Sequence, residues 1–335
     1  VESAVSGTAQ WRKVISLERS RMLRRVAEVM RERTDEMARW LSLELGKPLD
    51  QSKGEVSMAI EQFEWYAEEA KRIYGHILES RQPHGKVLIQ HEPIGVVAAF
   101  TSWNFPVVLA ARKIAPALAA GCSVILLPAE EAPGSAMSLV QCLHEAGVPA
   151  GVINLINGSA DTISPVLLNE SRVRKISLTG SARVGKLLIK ASAETLKRTS
   201  MELGGHAPVI IYADADAEAI AEQAALVKFK HCGQVCASPS RYFIHESQAE
   251  AFTNKFIEIA QNFKLGNGME SGVDIGPLAT KKRLKEVELM VSGTLKSGAR
   301  LRLGGKRPEG FDRGFFYEPT VFDQVSDHSP IMQEE

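Results

Sequence analysis

Cys236 closes the run Phe229-Lys230-His231-Cys232-Gly233-Gln234-Val235-Cys236. A cysteine thiolate is a strong nucleophile, and a Gly-Gln turn with Lys230 and His231 close by is a setting that favours the ionised thiol. A free cysteine also serves as a small buried hydrophobe, and that reading stands beside the first. Glu202, in Met201-Glu202-Leu203-Gly204-Gly205, is a lone acid between an apolar strand and a double glycine. Burying a carboxylate there is costly unless it has a task or a partner.

Two further stretches suit a nucleotide. Gly180-x-x-x-x-Gly185-Lys186 ends a predicted strand and opens a helix, but Leu187 stands where a P-loop needs a hydroxyl for magnesium. Triphosphate hydrolysis is therefore not expected. Glycines at such a turn still let backbone N–H groups approach a pyrophosphate at a helix N-terminus; a purely structural turn is the alternative. The predicted strand Ser123 to Leu127 runs into Pro128-Ala129-Glu130. An acid at a strand's carboxyl end is placed to meet ribose hydroxyls, or is simply a solvated loop carboxylate. No GxGxxG occurs in the chain.

The elements that must position these residues follow from periodicity. Ser16 to Leu45 reads as one or two amphipathic helices ended by Gly46-Lys47-Pro48, and Val56 to Tyr74 as another. Val87 to Glu92 reads as a strand. Ile94–Phe100, Ser123–Leu127, Gly151–Ile156 and Val173–Leu178 are short apolar runs, with helical patterns over Pro106–Ala120 and Met137–Glu145. Such alternation implies parallel strands buried on both faces, an α/β doubly wound sheet. A second αβ stretch begins near Ala207, with a helix over Ala217 to Lys230. The expected domains are 1–203 and 204–335, with the boundary near Gly204-Gly205.

Composition narrows the function class. The 335 residues carry 40 basic and 40 acidic side chains, so the formal net charge is zero. That balance argues against an electrostatic nucleic-acid or anionic-membrane binder. The longest uncharged stretches are interrupted by Pro, Gly or Asn, so no membrane span is expected. Four cysteines are too few for a disulfide framework and match no zinc spacing. A reducing cytoplasmic setting is the expectation, with no metal.

Taken together, five segments are far more specific than any one of them. Thr101-Ser102-Trp103-Asn104-Phe105-Pro106, Pro116-Ala117-Leu118-Ala119-Ala120-Gly121, Leu178-Thr179-Gly180-Ser181, Met201 to Gly205 and Gly233-Gln234-Val235-Cys236 resemble, in order and spacing, the aldehyde dehydrogenase superfamily. Arg112-Lys113 and Lys228-Phe229-Lys230 make the chain most similar to the succinate-semialdehyde dehydrogenases.

The resemblance implies a Rossmann-like dinucleotide-binding domain with the start of an oligomerisation hairpin near 75–93, then an α/β catalytic domain. It implies NAD-dependent oxidation of a small aldehyde, with NADP the less favoured cofactor. Cys236 matches the nucleophile, Asn104 the oxyanion donor and Glu202 the base that activates water. Trp103, the Leu127-Pro128-Ala129-Glu130 turn, Gly180, Ser181, Leu203 and Glu335 match cofactor contacts. Arg112 matches an arginine that holds a distal carboxylate, and Lys230 stands where those enzymes carry a second.

Three departures qualify the match. Leu127 replaces an adenosine-binding lysine, Ser238 stands where some relatives have a regulatory cysteine, and the chain stops before the family's Phe-Gly-Pro segment. The resemblance therefore implies a catalytic domain lacking its C-terminal part, and a homo-oligomer (dimer or tetramer) only at full length. The alternative is a non-catalytic remnant acting as a binding or structural module.

Overall fold

The computed structural model describes residues 1–334, which fall into two compact units: residues 1–40 with 53–203, and residues 41–52 with 204 onward. Helices α1 (Glu2–Trp11), α2 (Ser16–Glu32), α3 (Thr34–Leu45) and α4 (Leu49–Glu69) open the chain. Helix α2 buries Leu23, Val26, Ala27 and Met30, the i, i+3, i+4, i+7 stripe of an amphipathic helix. Helix α4 starts directly after Pro48, earlier than the apolar spacing suggests, because proline suits the edge of a first turn. Strands β1 (His76–Glu79) and β2 (Lys86–Ile89) form an antiparallel hairpin in which every strand residue is exposed.

The centre of the first unit is a parallel sheet. Its strands are β3 (Val96–Phe100), β4 (Ser123–Leu127), β5 (Ile153–Leu155), β6 (Val173–Gly180) and β7 (Arg198–Leu203). They are joined in sequence by α5 (Pro106–Ala119), α6 (Pro133–Glu145), α7 (Ala160–Asn169) and α8 (Ala182–Ser192). The spatial order is β5-β4-β3-β6-β7. Right-handed crossovers that run outward in both directions from β3 and β6 place their helices on opposite faces. On one face Ala4 of α1, Leu167 and Leu168 of α7 and Leu188 of α8 pack with Val96, Ala98, Phe100, Ile125, Leu127, Ile176 and Leu178. Strands β3 and β4 are buried at every residue, which is why they read as unbroken apolar runs. β7 lies at the sheet's edge and is largely exposed.

In the second unit β8 (Pro208–Ile211) pairs in parallel with β9 (Arg241–Ile244) through the crossover helix α9 (Ala217–Lys228). Helices α10 (Glu246–Gln261) and α11 (Lys281–Lys296) follow, then the antiparallel pair β10 (Arg300–Leu303) and β11 (Val321–Asp323), and α12 (Pro330–Gln333). Ala217, Ala221 and Ala225 put a stripe of small side chains on α9, and Phe229, Phe252 and Phe256 fill the core beside it.

Residues 41–52 belong with this second unit, a correction to a first domain running continuously from 1 to 203. The reason is polar pairing at long range. Leu49 N–H donates to Gly268 C=O at 2.9 Å, Gln51 Nε2 donates to Asp274 C=O at 2.8 Å, and the His231 N–H donates to Gln51 Oε1 at 2.8 Å.

Candidate functional site

In the first unit the candidate residues gather at the carboxyl ends of the parallel strands. Strand order reverses between β3 and β6, and the crevice outside that switch point is where open α/β sheets take their ligands. Trp103 and Asn104 lie in the turn that leaves β3, and Gly180 ends β6. Ser181 caps α8, its Oγ accepting from the Val184 N–H at 3.4 Å. Glu202 and Leu203 end β7. Pro128, Ala129 and Glu130 follow β4.

Several details fit a dinucleotide there. A Cβ on Gly185 would lie 2.8 Å from the end of the Leu203 side chain, so glycine there leaves that leucine undisturbed where α8 meets β7. The Thr101 Oγ1, at the end of β3, is buried without a hydrogen-bond partner among the described residues. A buried hydroxyl in that condition is destabilising until something satisfies it. Glu130 is exposed and its Oε1 accepts from the Ala160 N–H, at the start of α7, at 3.4 Å. Leu127, the last residue of β4, is 3% exposed and its side chain packs in the core. Glu335 lies outside the described residues.

Two groups that sequence reasoning missed support this edge. Glu55, fully buried on α4, accepts from the Val107 N–H at 2.9 Å and the Val108 N–H at 3.3 Å. A carboxylate at a helix N-terminus satisfies orphan donors and complements the dipole. It thereby fixes the start of α5, two residues after Asn104. Lys113 on α5 is buried and its Nζ lies 3.2 Å from Ser177 Oγ. Burial pulls its pKa down to about 8, the Glu202 carboxylate opposes that shift, and Lys175 adds to it. Glu55 stands in no motif and the Arg112-Lys113 pair carries no sign of what Lys113 meets, because each acts through a partner more than fifty residues away.

Glu202 itself is exposed on the edge strand. The expectation that burial marks it is corrected: β7 has a neighbour on one side only, so its acid stays in water.

In the second unit the thiol loop begins with strained backbone. His231 (φ 48°) and Cys232 (φ 57°) are left-handed, and Gly233 continues at φ 73°. Non-glycine residues in this region cost about 1–3 kcal/mol each and persist only where their surroundings hold them. Gln51 receives the His231 N–H, Gln234 Nε2 donates to His231 C=O at 3.0 Å, and the Cys232 thiol donates to Gly276 C=O.

The two cysteines of the loop differ sharply. Burial pushes the Cys232 thiol up to about 12. Cys236 is exposed. His231 does not supply the positive charge expected beside the thiol. It is buried, desolvation and then the Lys47 charge hold its pKa well below the ordinary value, and the ring is neutral near pH 7. Lys230 is exposed, as is Arg112 on α5 of the first unit.

With this arrangement established, known proteins decide the family: the aldehyde dehydrogenase family pattern matches residues 1–335. The chain belongs to the aldehyde dehydrogenase family. Membership makes it an NAD(P)-dependent dehydrogenase of small aldehydes.

Among similar proteins is a glutarate-semialdehyde dehydrogenase of Pseudomonas putida, 40% identical over 335 residues, covering 100% of this chain and 69% of that protein. A 3-sulfolactaldehyde dehydrogenase of Pseudomonas putida is 43% identical, over 97% of this chain and 66% of that one. The NADP(+) succinate-semialdehyde dehydrogenase of Escherichia coli is 39% identical, over 100% of this chain and 69% of its own length. The crystal structure of succinate-semialdehyde dehydrogenase from Burkholderia pseudomallei superposes with a TM-score of 0.97 at 40% identity, over 100% of this chain and 69% of that chain. The dehydrogenase fold expected from the motifs is therefore the fold observed, and no helix among the described residues is long and apolar enough to cross a membrane.

Proposed function

We propose that this aldehyde dehydrogenase oxidises a semialdehyde bearing a distal anionic group, succinate semialdehyde or a related carboxylated aldehyde, through covalent intermediates on Cys236. The observation that carries the reading is the placement of Asn104, Gly180, Ser181, Glu202 and Leu203 at the carboxyl ends of parallel strands around one switch point.

The Cys236 thiolate adds to the aldehyde carbon, a C–S bond forms, and the carbonyl π pair moves onto oxygen. The Asn104 amide and the Cys236 N–H donate to that oxyanion. Bound dinucleotide supplies the hydride acceptor when the C–H bond breaks, and a thioester remains on Cys236. Glu202 takes a proton from water, whose oxygen adds to the thioester carbon. The C–S bond then breaks, giving the acid and returning the thiolate. Trp103, the 128–130 turn, Gly180, Ser181 and the Leu203 backbone hold the dinucleotide.

The aldehydes named for the three relatives share a distal carboxylate or sulfonate. Arg112 and Lys230 are the cations we assign to that anion. A guanidinium grips a carboxylate as a fork, whereas lysine offers only a point charge. For the cofactor we assign NAD, because the Glu130 carboxylate suits free ribose hydroxyls and Leu127 offers no donor to a 2′-phosphate. A relative named for NADP(+) makes this a choice for titration. The exposed β1–β2 hairpin, with Ile77, Leu78, Val87 and Leu88 in water, is the surface we assign to self-association in the cytoplasm.

Formation of reduced dinucleotide with succinate semialdehyde tests the reading. Signal with succinate and glutarate semialdehydes, and little with an uncharged aldehyde of equal length, is the expected result. No signal with any aldehyde, although dinucleotide binds, would leave the chain a binding module.

A further inference from the structure

The loop from Gln234 to Ser240 has no regular secondary structure of its own, yet it carries the exposed Cys236. Its shape must come from side chains. The Ser238 N–H donates to Val235 C=O at 3.0 Å, which closes a turn with Cys236 at its second position.

One residue holds the far side of that turn. Lys228, the last residue of α9, donates from Nζ to Ser238 Oγ at 3.2 Å and to Ser240 Oγ at 3.4 Å. The Ser238 hydroxyl in turn donates to the Lys228 carbonyl at 3.3 Å, and Ser240 Oγ donates to Ser238 C=O at 3.1 Å. Both ends of Lys228 therefore grip one buried serine. The near side of the loop is shaped by the same residue. A Cβ on Gly233, already left-handed at φ 73°, would lie 3.3 Å from Lys228 O and 3.5 Å from its Nζ.

This lysine is not a solvated surface charge. It is desolvated, and Arg283 repels it, so its pKa falls to about 8. Two neutral hydroxyls repay little of the desolvation of an ammonium, and a charge kept in such a place is a candidate for a functional task.

Resting on the assignment of Cys236 as nucleophile, we propose that Lys228 is a positioning residue: its ammonium and carbonyl clamp Ser238 and Ser240 and thereby fix the loop that presents Cys236. Cys236 is already exposed, so loosening the loop adds no access. Loss of the clamp lowers reactivity.

The test uses the full chain and iodoacetamide, with labelling of each cysteine followed by peptide mass spectrometry at pH 7.5. Lys228→Met is expected to slow labelling of Cys236 about tenfold and to speed amide exchange over residues 233–240. Lys228→Arg, which restores a cationic donor, is expected to recover most of the rate. Ser238→Ala removes the clamp from the other side. The double variant is expected to be no slower than Lys228→Met alone, because both act through one contact. Additive losses, or a Lys228→Met rate within twofold of the parent, would overturn the proposal. If Lys228→Met does not fold, Ser238→Ala with a parent-like rate overturns it equally. A parent chain in which Cys236 is not the fast thiol fails at the nucleophile assignment, and the positioning role falls with it.

Discussion

The Cys232 thiol donates to the Gly276 carbonyl at 2.9 Å, four residues before the exposed Cys236. A thiol committed to a carbonyl and pushed up to about 12 holds almost no thiolate at neutral pH, and thiolate is the reacting species. At pH 7.5 iodoacetamide is expected to label Cys236 at least about a hundredfold faster than Cys232. Cys236→Ala should abolish aldehyde oxidation with the melting temperature unchanged. Faster labelling of Cys232 would reverse the assignment.

Glu202 lies on an exposed edge, so Glu202→Gln is expected to change stability by no more than about 0.5 kcal/mol. Hydride leaves before water must be activated. A rapid burst of about one reduced dinucleotide per site followed by very slow turnover is therefore expected, with thioester trapped on Cys236. If stopped-flow absorbance shows no burst, Glu202 acts earlier.

Lys113 makes stability depend on pH in a known direction. Burial lowers its folded pKa to about 8, whereas an unfolded lysine titrates near about 10.4. Between these values the unfolded chain binds more protons, so this group makes the folded state gain stability as pH rises. Urea unfolding at pH 7.5 and 10 should show the parent gaining on Lys113→Met, on the order of 1–3 kcal/mol. A flat difference would mean that the ammonium is solvated in the folded chain.

Arg112→Ala is expected to raise KM for succinate semialdehyde far more than for an uncharged aldehyde of similar length. Loss of a charged hydrogen bond is worth about 1.5–3 kcal/mol, or roughly ten- to a hundredfold. Equal effects on the two substrates would make Arg112 a structural residue.

Cofactor choice turns on Glu130. A 2′-phosphate about 4 Å from its carboxylate would be repelled by roughly 4 kcal/mol at an effective dielectric near 20. A third of that favours NAD about tenfold. Fluorescence titration with both dinucleotides measures the ratio, and equal or tighter NADP binding would remove Glu130 from the ribose and point to a cation such as Arg183.

Much of the first unit was legible in the chain itself. Central parallel strands are buried on both faces, so Val96–Phe100 and Ser123–Leu127 appear as unbroken apolar runs with nearly correct ends. The turn at Gly180, which ends β6 and opens α8, was legible for a similar reason, since a strand's end is a local event, whereas Trp103 and Asn104 came from the resemblance alone. The exposed edge strand β7 has no such run, and there the inference from burial to Glu202 failed.

Tertiary structure alone decided what depends on partners distant in sequence. Glu55 meets the start of α5 across 52 positions, and Lys113 meets Ser177 across 64. His231 was read from its neighbours as a cation, but burial makes it neutral, and Cys232 differs from Cys236 only because one points into protein and the other into water. Residues 41–52 join the second unit through hydrogen bonds to 231, 268 and 274. Periodicity records which face of an element is buried. It carries no record of which distant residue covers that face, and desolvation, protonation and loop shape are all set there.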